Sequence, residues 1–291
     1  MSEKKIIAES ELIINPDGSA YHLHLLPEEV AETIITVGDP GRVQEVSKHF
    51  DSIQVKKGYR EFVTHTGYLN NKRLTVISTG IGTDNIDIVM NEIDALVNID
   101  FKTRKVKDEL TSLDVFRLGT SGSVSEEIDV DSVVMSEIAV GMDGLLNFYQ
   151  LQNSIQEIVY LEAFNSHIRS SFDNATPYIA SASEKLLKKF EDKFIKGTTV
   201  TACGFYAPQG RKLRLTQDFP DFVPAINKFR HKHFRITNLE METAAYYALG
   251  KMMGHHVLSL NVIIAQRAHQ RFLGDHKKVM DDLIVKTLER L

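Results

Sequence analysis

The sequence predicts an α/β protein with a mixed, mostly covered sheet. Short apolar, β-branched runs alternate with stretches of helical spacing along the whole chain, which implies strands joined by helices that cover the sheet. The 291 residues, 43% hydrophobic and 25% charged, suffice for one large core or two smaller ones. No internal repeat, low-complexity tract or Pro/Gly-rich linker interrupts this pattern. One compact domain is expected over residues 1–291, with an N-terminal extension (1–20) and a polar, Lys/Arg-rich surface insertion (101–111).

Each element follows from its local pattern. Ile34-Ile35-Thr36-Val37 is a strand that stops at Gly38-Asp39-Pro40-Gly41 and leads into a helix from Arg42 to Phe50. From Glu61 to Thr79 the chain alternates and turns at Asn70-Asn71, a hairpin signature. Thr83 or Asp84 then caps a helix whose apolar positions Ile86, Val89, Ile93 and Leu96 recur at helical spacing. Strands follow at Val115–Leu118, Val133–Val140, Thr198–Ala202 and Val257–Ile264; helices are expected near Ile155–Phe172, over Glu242–Met253 and from about His276.

Composition excludes several classes. A net charge of -5 without a dense Lys/Arg run argues against nucleic acid as a partner. Cys203 is the single cysteine, so no internal disulfide can form. The apolar stretch near the N-terminus is too short for a signal peptide or a membrane span, which points to the cytoplasm and to no membrane partner.

Four segments could carry chemistry. In Gly38-Asp39-Pro40-Gly41-Arg42 a strand runs into a helix start; glycine and Arg42 could receive an anion, or the turn residues could serve geometry alone. In Arg117-Leu118-Gly119-Thr120-Ser121-Gly122 an arginine sits in an apolar strand, where it needs an internal acid or a bound anion, and the flanking glycines would leave the backbone open to a ligand. In Asn238-Leu239-Glu240-Met241-Glu242-Thr243 the two carboxylates either face a pair of sugar hydroxyls or simply open the next helix. In Gly204-Phe205-Tyr206-Ala207-Pro208-Gln209-Gly210-Arg211 an aromatic face, an amide and a guanidinium could match the carbonyl and imide edge of a pyrimidine, or form a polar loop. His231/His233 and His255/His256 lack metal-ligand spacing or a cysteine partner, so no metal site is expected. GxGxxG after the first strand, GxxxxGK[ST] and GxSxG are all absent.

In this order, and with Tyr21-His22-Leu23, Arg60-Glu61-Phe62 and Ser78-Thr79-Gly80-Ile81-Gly82, the segments resemble the type I nucleoside phosphorylase family, and within it the uridine phosphorylases. The resemblance implies a single-domain three-layer α/β/α sandwich with a mixed central sheet. It also implies phosphorolysis of a pyrimidine ribonucleoside: uridine and phosphate give uracil and ribose 1-phosphate. Phosphate would be bound by Gly38, Arg42, Arg117 and Thr120, with Arg60 donated by a neighbouring subunit. Ribose would meet Met241, Glu242 and a donated His22. The base would meet Phe205, Gln209 and Arg211, with Arg267 holding the base loops, and Arg42, Arg117, Gln209 and Arg211 would carry catalysis. The minimal unit would be a homodimer, alone or as three dimers in a hexamer. No cofactor beyond the co-substrate phosphate is implied. The family's monovalent-cation site uses the Glu61 position, the Ile81 carbonyl and a serine, and Asn85 in place of that serine speaks against potassium dependence. The stretch Val262–Arg267 lacks the aspartate of purine-specific relatives. A purine nucleoside phosphorylase, a nucleosidase using water and a non-catalytic nucleoside sensor are the alternatives.

Overall fold

The computed structural model describes residues 5–169 and 176–291. The chain divides into two compact units, the first holding Met1–Gly80, Asn85–Phe116 and Met253–His255, the second Ile81–Asp84, Arg117–Met252 and His256–Leu291.

The first unit is laid down by β1 (Thr33–Val37), α1 (Pro40–Ser47), β2 (Ser52–Tyr59), β3 (Phe62–Leu69), β4 (Lys72–Ser78), most of α2 (Thr83–Asn98), the short hairpin β5 (Ile99–Asp100) and β6 (Lys105–Val106), and the start of β7 (Asp114–Ser123). β1 runs parallel to β4, which is antiparallel to β3, and β3 to β2. The β3–β4 turn falls where the sequence places it, with Asn70 and Asn71 at φ 49° and 63°, the left-handed pair that asparagine tolerates in a two-residue hairpin. β2 is not evident in the sequence because only alternate positions are partly covered and Lys56 and Lys57 interrupt its apolar character. The insertion expected at the surface forms the β5–β6 hairpin. Its Arg104 reaches back to the carbonyls of Ile7, Ala8 and Leu12, which fastens the N-terminal segment.

The second unit continues from Arg117 in β7 through β8 (Val133–Gly141), α3 (Ile155–Ile168), β9 (Tyr178–Ser181), α4 (Glu184–Phe190), β10 (Ile195–Thr201), α5 (Phe222–Lys228), β11 (Asn238–Glu240), α6 (Thr243–Met253), β12 (His256–Gln266), β13 (Arg271–Phe272) and α7 (Lys277–Leu288). β8 lies at its centre, parallel to β10 and antiparallel to β12 and β9; β10 pairs in parallel with β11, which is antiparallel to β7. The pairing is therefore mixed in both units, as the sequence predicts. The core under α3 and α5 is aromatic: Tyr160 stacks on Phe234 with centroids 4.4 Å apart, and Phe164 meets Phe229 edge-on at 5.4 Å. The expected continuation of α3 to Phe172 lies outside the described residues.

Two expectations are corrected here. β7 does not stop before Gly119 but runs through Ser123. The glycine there does not open the backbone to a ligand: a Cβ on Gly119 would sit 2.1 Å from Nη1 of Arg117, so the missing side chain makes room for that guanidinium.

Candidate active site

Arg117 emerges from the apolar run Val115-Phe116 at 7% exposure, and a cation buried to that degree must be compensated. Its Nη2 lies 2.9 Å from Glu240 Oε2 and 2.6 Å from Glu242 Oε2, while Nη1 donates to Asn261 Oδ1 at 2.6 Å and to Ser259 Oγ at 3.2 Å. Burial would push its pKa down; the two carboxylates outweigh that and hold it above its ordinary value. Arg117 therefore has internal acids, the two glutamates of the Glu-Met-Glu stretch.

The two glutamates are not equivalent. Glu240 opens α6: its carboxylate accepts from the Thr243 and Glu242 amides and from the Thr201 hydroxyl. Glu242 accepts one donor per oxygen, the Gly82 amide at 2.7 Å and Arg117, which leaves acceptor capacity on both. Burial, then the neighbouring Glu240 charge, pushes its pKa up against the pull of Arg117. Met241 lies between them, half-buried, and Thr120 is likewise half-buried on β7.

The base-loop candidates meet in the same unit. Gln209 is 2% exposed, on a helical turn that ends at Gly210 with φ 65°, where a Cβ would also collide with Val223. Arg211 donates to Gln209 Oε1 at 2.6 Å and to the Phe205 carbonyl at 2.7 Å, and its guanidinium carbon lies 3.8 Å from the centre of the Phe205 ring. Because arginine only donates, the Gln209 oxygen must face Arg211 and the amide NH2 faces elsewhere. Arg267 donates to the carbonyls of Gln209 and Gly210 at 3.0 and 3.3 Å. Burial, then the charge of Arg267, pushes Arg211 down to about 10. Beside this loop opens a cavity of about 270 Å³ lined by Met142, Ala202, Cys203, Ala207, Pro208 and Phe219 among others.

The first unit carries the remaining candidates. Gly38 follows β1, Asp39 caps α1 by accepting from the Gly41 amide at 2.8 Å, and Arg42 sits in the first turn, so the strand, turn and helix read from the sequence are present. Arg60 is exposed in the β2–β3 turn at φ 53°, with its guanidinium carbon 5.3 Å from the Tyr59 ring centre. Tyr59 stacks on His24 at 4.1 Å, and His22 contacts Tyr21 and Phe62 edge-on. His22 thus sits with Tyr21 and Phe62, and Arg60 with Tyr59 and His24, and both Tyr21 and Tyr59 are exposed.

Of the four histidines without ligand spacing, His233 meets the Tyr160 hydroxyl, His255 lies against Asp94, His256 meets Ser183, and His231 meets the Tyr160 ring edge-on. Among the described residues no helix is long and apolar enough to cross a membrane. Three site residues escape sequence reasoning. Asn261 and Ser259, polar positions in an apolar strand, carried a signal; Glu92, the carboxylate that binds His22, looked like any solvated helix acid.

Residues 32–288 match the family model of the Phosphorylase superfamily. The chain is similar to the crystal structure of a Trypanosoma brucei nucleoside phosphorylase described as showing uridine phosphorylase activity, with TM-score 0.85 and 30% identity over 96% of this chain and 98% of that one. It is 27% identical to a uridine phosphorylase of Thermococcus kodakarensis over 94% of this chain and 86% of the relative. It is also 25% identical to a DeoD-type purine nucleoside phosphorylase of Caldanaerobacter subterraneus subsp. tengcongensis, over 82% of this chain and 84% of the relative.

Proposed function

Because the chain belongs to the phosphorylase superfamily and is a nucleoside phosphorylase, a pentosyltransferase whose substrates are a nucleoside and phosphate, we propose that its nucleoside is a pyrimidine ribonucleoside, foremost uridine. The observation that carries this reading is the Gln209–Arg211 pair, fixed by Arg267 at the backbone and backed by Phe205. Gln209 Oε1 keeps a lone pair for an imide N–H, its NH2 can donate to a carbonyl, and Arg211 can donate to the other carbonyl. Adenine, guanine and hypoxanthine present no such carbonyl–imide–carbonyl edge.

In the proposed reaction phosphate attacks the anomeric carbon, the glycosidic bond breaks, and its electrons leave with uracil. The protein supplies position and charge. Phosphate is assigned to Gly38, Arg42, Arg117, Thr120 and a neighbour's Arg60, and its charge favours the cationic ribose of the transition state. Glu242 and Met241 are assigned to the 2′ and 3′ side of the ribose and a neighbour's His22 to its other end. Negative charge grows on the departing base beside Arg211, a cation held in surroundings that disfavour it, with Arg267 repelling it. An anionic base relieves that repulsion, so binding strengthens as the reaction proceeds. The proposed unit is a homodimer, alone or in a hexamer of three, and the proposed location is the cytoplasm.

Asn85 bears on the cation site. Around Gly80 an added Cβ would be 2.5 Å from Asn85 Nδ2 and 3.0 Å from Glu61 Cγ, so an amide nitrogen occupies the space beside Glu61. Turnover is expected to be the same in potassium and choline chloride.

The presence of purine-specific relatives keeps purine phosphorolysis as the second reading. One assay separates the readings: uridine, thymidine and inosine, each with and without phosphate. Phosphate-dependent release of uracil supports the proposal; release of hypoxanthine alone, or cleavage without phosphate, rejects it.

A further inference from the structure

We infer that Glu92 is a positioning residue for the ribose end of the substrate, setting the orientation and proton arrangement of His22. This rests on the reading of His22 as a ribose contact lent to a neighbouring subunit. Glu92 lies on α2 in the same compact unit as His22, and its side chain is 14% exposed against 27% for the histidine. Its carboxylate gathers three donors from two consecutive residues: His22 Nδ1 at 2.6 Å, the His22 amide at 2.9 and 3.0 Å to the two oxygens, and the Leu23 amide at 2.8 Å. A surface ion pair would leave the backbone free. Here one side chain holds both the turn and the ring.

The chemistry of the contact fixes what His22 can present. An ionised carboxylate only accepts, so Nδ1 must carry the hydrogen, and Nε2 becomes the outward nitrogen: an acceptor in the neutral ring, a donor in the charged one. Tyr21 at 4.7 Å and Phe62 at 6.5 Å meet the ring edge-on and restrict its rotation. With the 2′ and 3′ hydroxyls assigned to Glu242 and Met241, the 5′-hydroxyl is the group left for Nε2. Glutamine at position 92 has one acceptor oxygen; its NH2 would confront one of the three N–H donors, which releases the ring and lets the tautomers exchange.

The test compares kcat/KM for uridine and for 5′-deoxyuridine in the intact oligomer of wild type, His22→Ala, Glu92→Gln and Glu92→Ala. The wild type is expected to prefer uridine, and His22→Ala to bring the ratio close to one. Glu92→Gln is expected to lower the ratio on the order of tenfold, one hydrogen bond's worth, while 5′-deoxyuridine turnover and the phosphate KM stay at wild-type values. Spectra of the ¹⁵N-labelled histidine ring should show Nδ1–H in the wild type and a tautomer mixture in Glu92→Gln. Glu92→Ala, read by melting temperature, reports the purely structural cost of losing the carboxylate. A wild-type ratio in Glu92→Gln, where His22→Ala has lost it, overturns the role of Glu92 alone. A wild-type ratio in His22→Ala overturns the ribose role of His22 and this inference with it.

Discussion

Arg117 and Glu242 meet at 2.6 Å inside the second unit, so the guanidinium assigned to phosphate and the carboxylate assigned to ribose are each other's nearest charge. Glu240, 2.9 Å from the same nitrogen, brings the cluster to one cation and two acids. Burial first, and then the surplus acid, make Glu242 harder to ionise than an ordinary glutamate, and the site suits hydroxyl donors beside that side chain.

The division of labour between the two glutamates can be measured. Glu240→Ala leaves Arg117 paired with Glu242 but strips the buried Thr201 hydroxyl and the Glu242 and Thr243 amides of their acceptor at the α6 start; a loss of about 1–3 kcal/mol is expected, read as a lower denaturant midpoint. Glu242→Gln leaves Arg117 paired with Glu240 and sets one NH2 against either the Gly82 amide or Arg117, so its stability loss should be the smaller of the two, while kcat/KM for uridine falls by on the order of a hundredfold. Equal destabilisation by both changes would reject the distinction.

Arg211→Ala should lower kcat for uridine by about 10²–10³-fold, because its donors act on charge that appears only as the base departs. The KM for phosphate should hardly move. Parallel losses in turnover and in phosphate affinity would show that the residue does something other than steady the leaving group.

Stability should respond to acid through Glu157. Burial opposes its ionisation, but Lys251 and donors at Ser154 and Ser181 outweigh it and set the pKa at about 2. A carboxyl lowered in the folded state stabilises fully above its unfolded value of about 4.3, and this contribution is lost as pH falls from there through the folded pKa. Melting temperatures of Glu157→Gln should therefore lie below wild type at neutral pH and converge on it between about pH 4.3 and 2. A constant gap at every pH would dissociate Glu157 from the acid response.

Arg60 offers a test of shared subunits. Arg60→Ala and Arg211→Ala homo-oligomers should each be nearly inactive, and co-expression should restore phosphorolysis because a mixed dimer pairs one intact Arg60 with one intact Arg211 in a single site. Mixed oligomers as inactive as their parents would reject donation across an interface.

Much of this was legible in the chain. Strands with β-branched runs and helices with a clean apolar period were read correctly because periodicity reports burial. The missed elements β2, β9, α4, α5, β11 and β13 are short or half-exposed and leave little pattern. The base loop stood out through its Gly and Pro punctuation and its unusual Gln/Arg pairing. The partners of Arg117 were harder, since Ser259 and Asn261 are 142 and 144 residues away in sequence and only the fold brings them together. Glu92 was invisible for the same reason, meeting His22 across 70 residues.

The grip of Arg104 on Ile7, Ala8 and Leu12 changes what the β5–β6 hairpin is worth to anyone engineering this chain. Trimming that hairpin would cut a tether whose other end leads directly into the residues before His22. The harm would surface far from the deletion, as a frayed lead-in and a mispositioned imidazole.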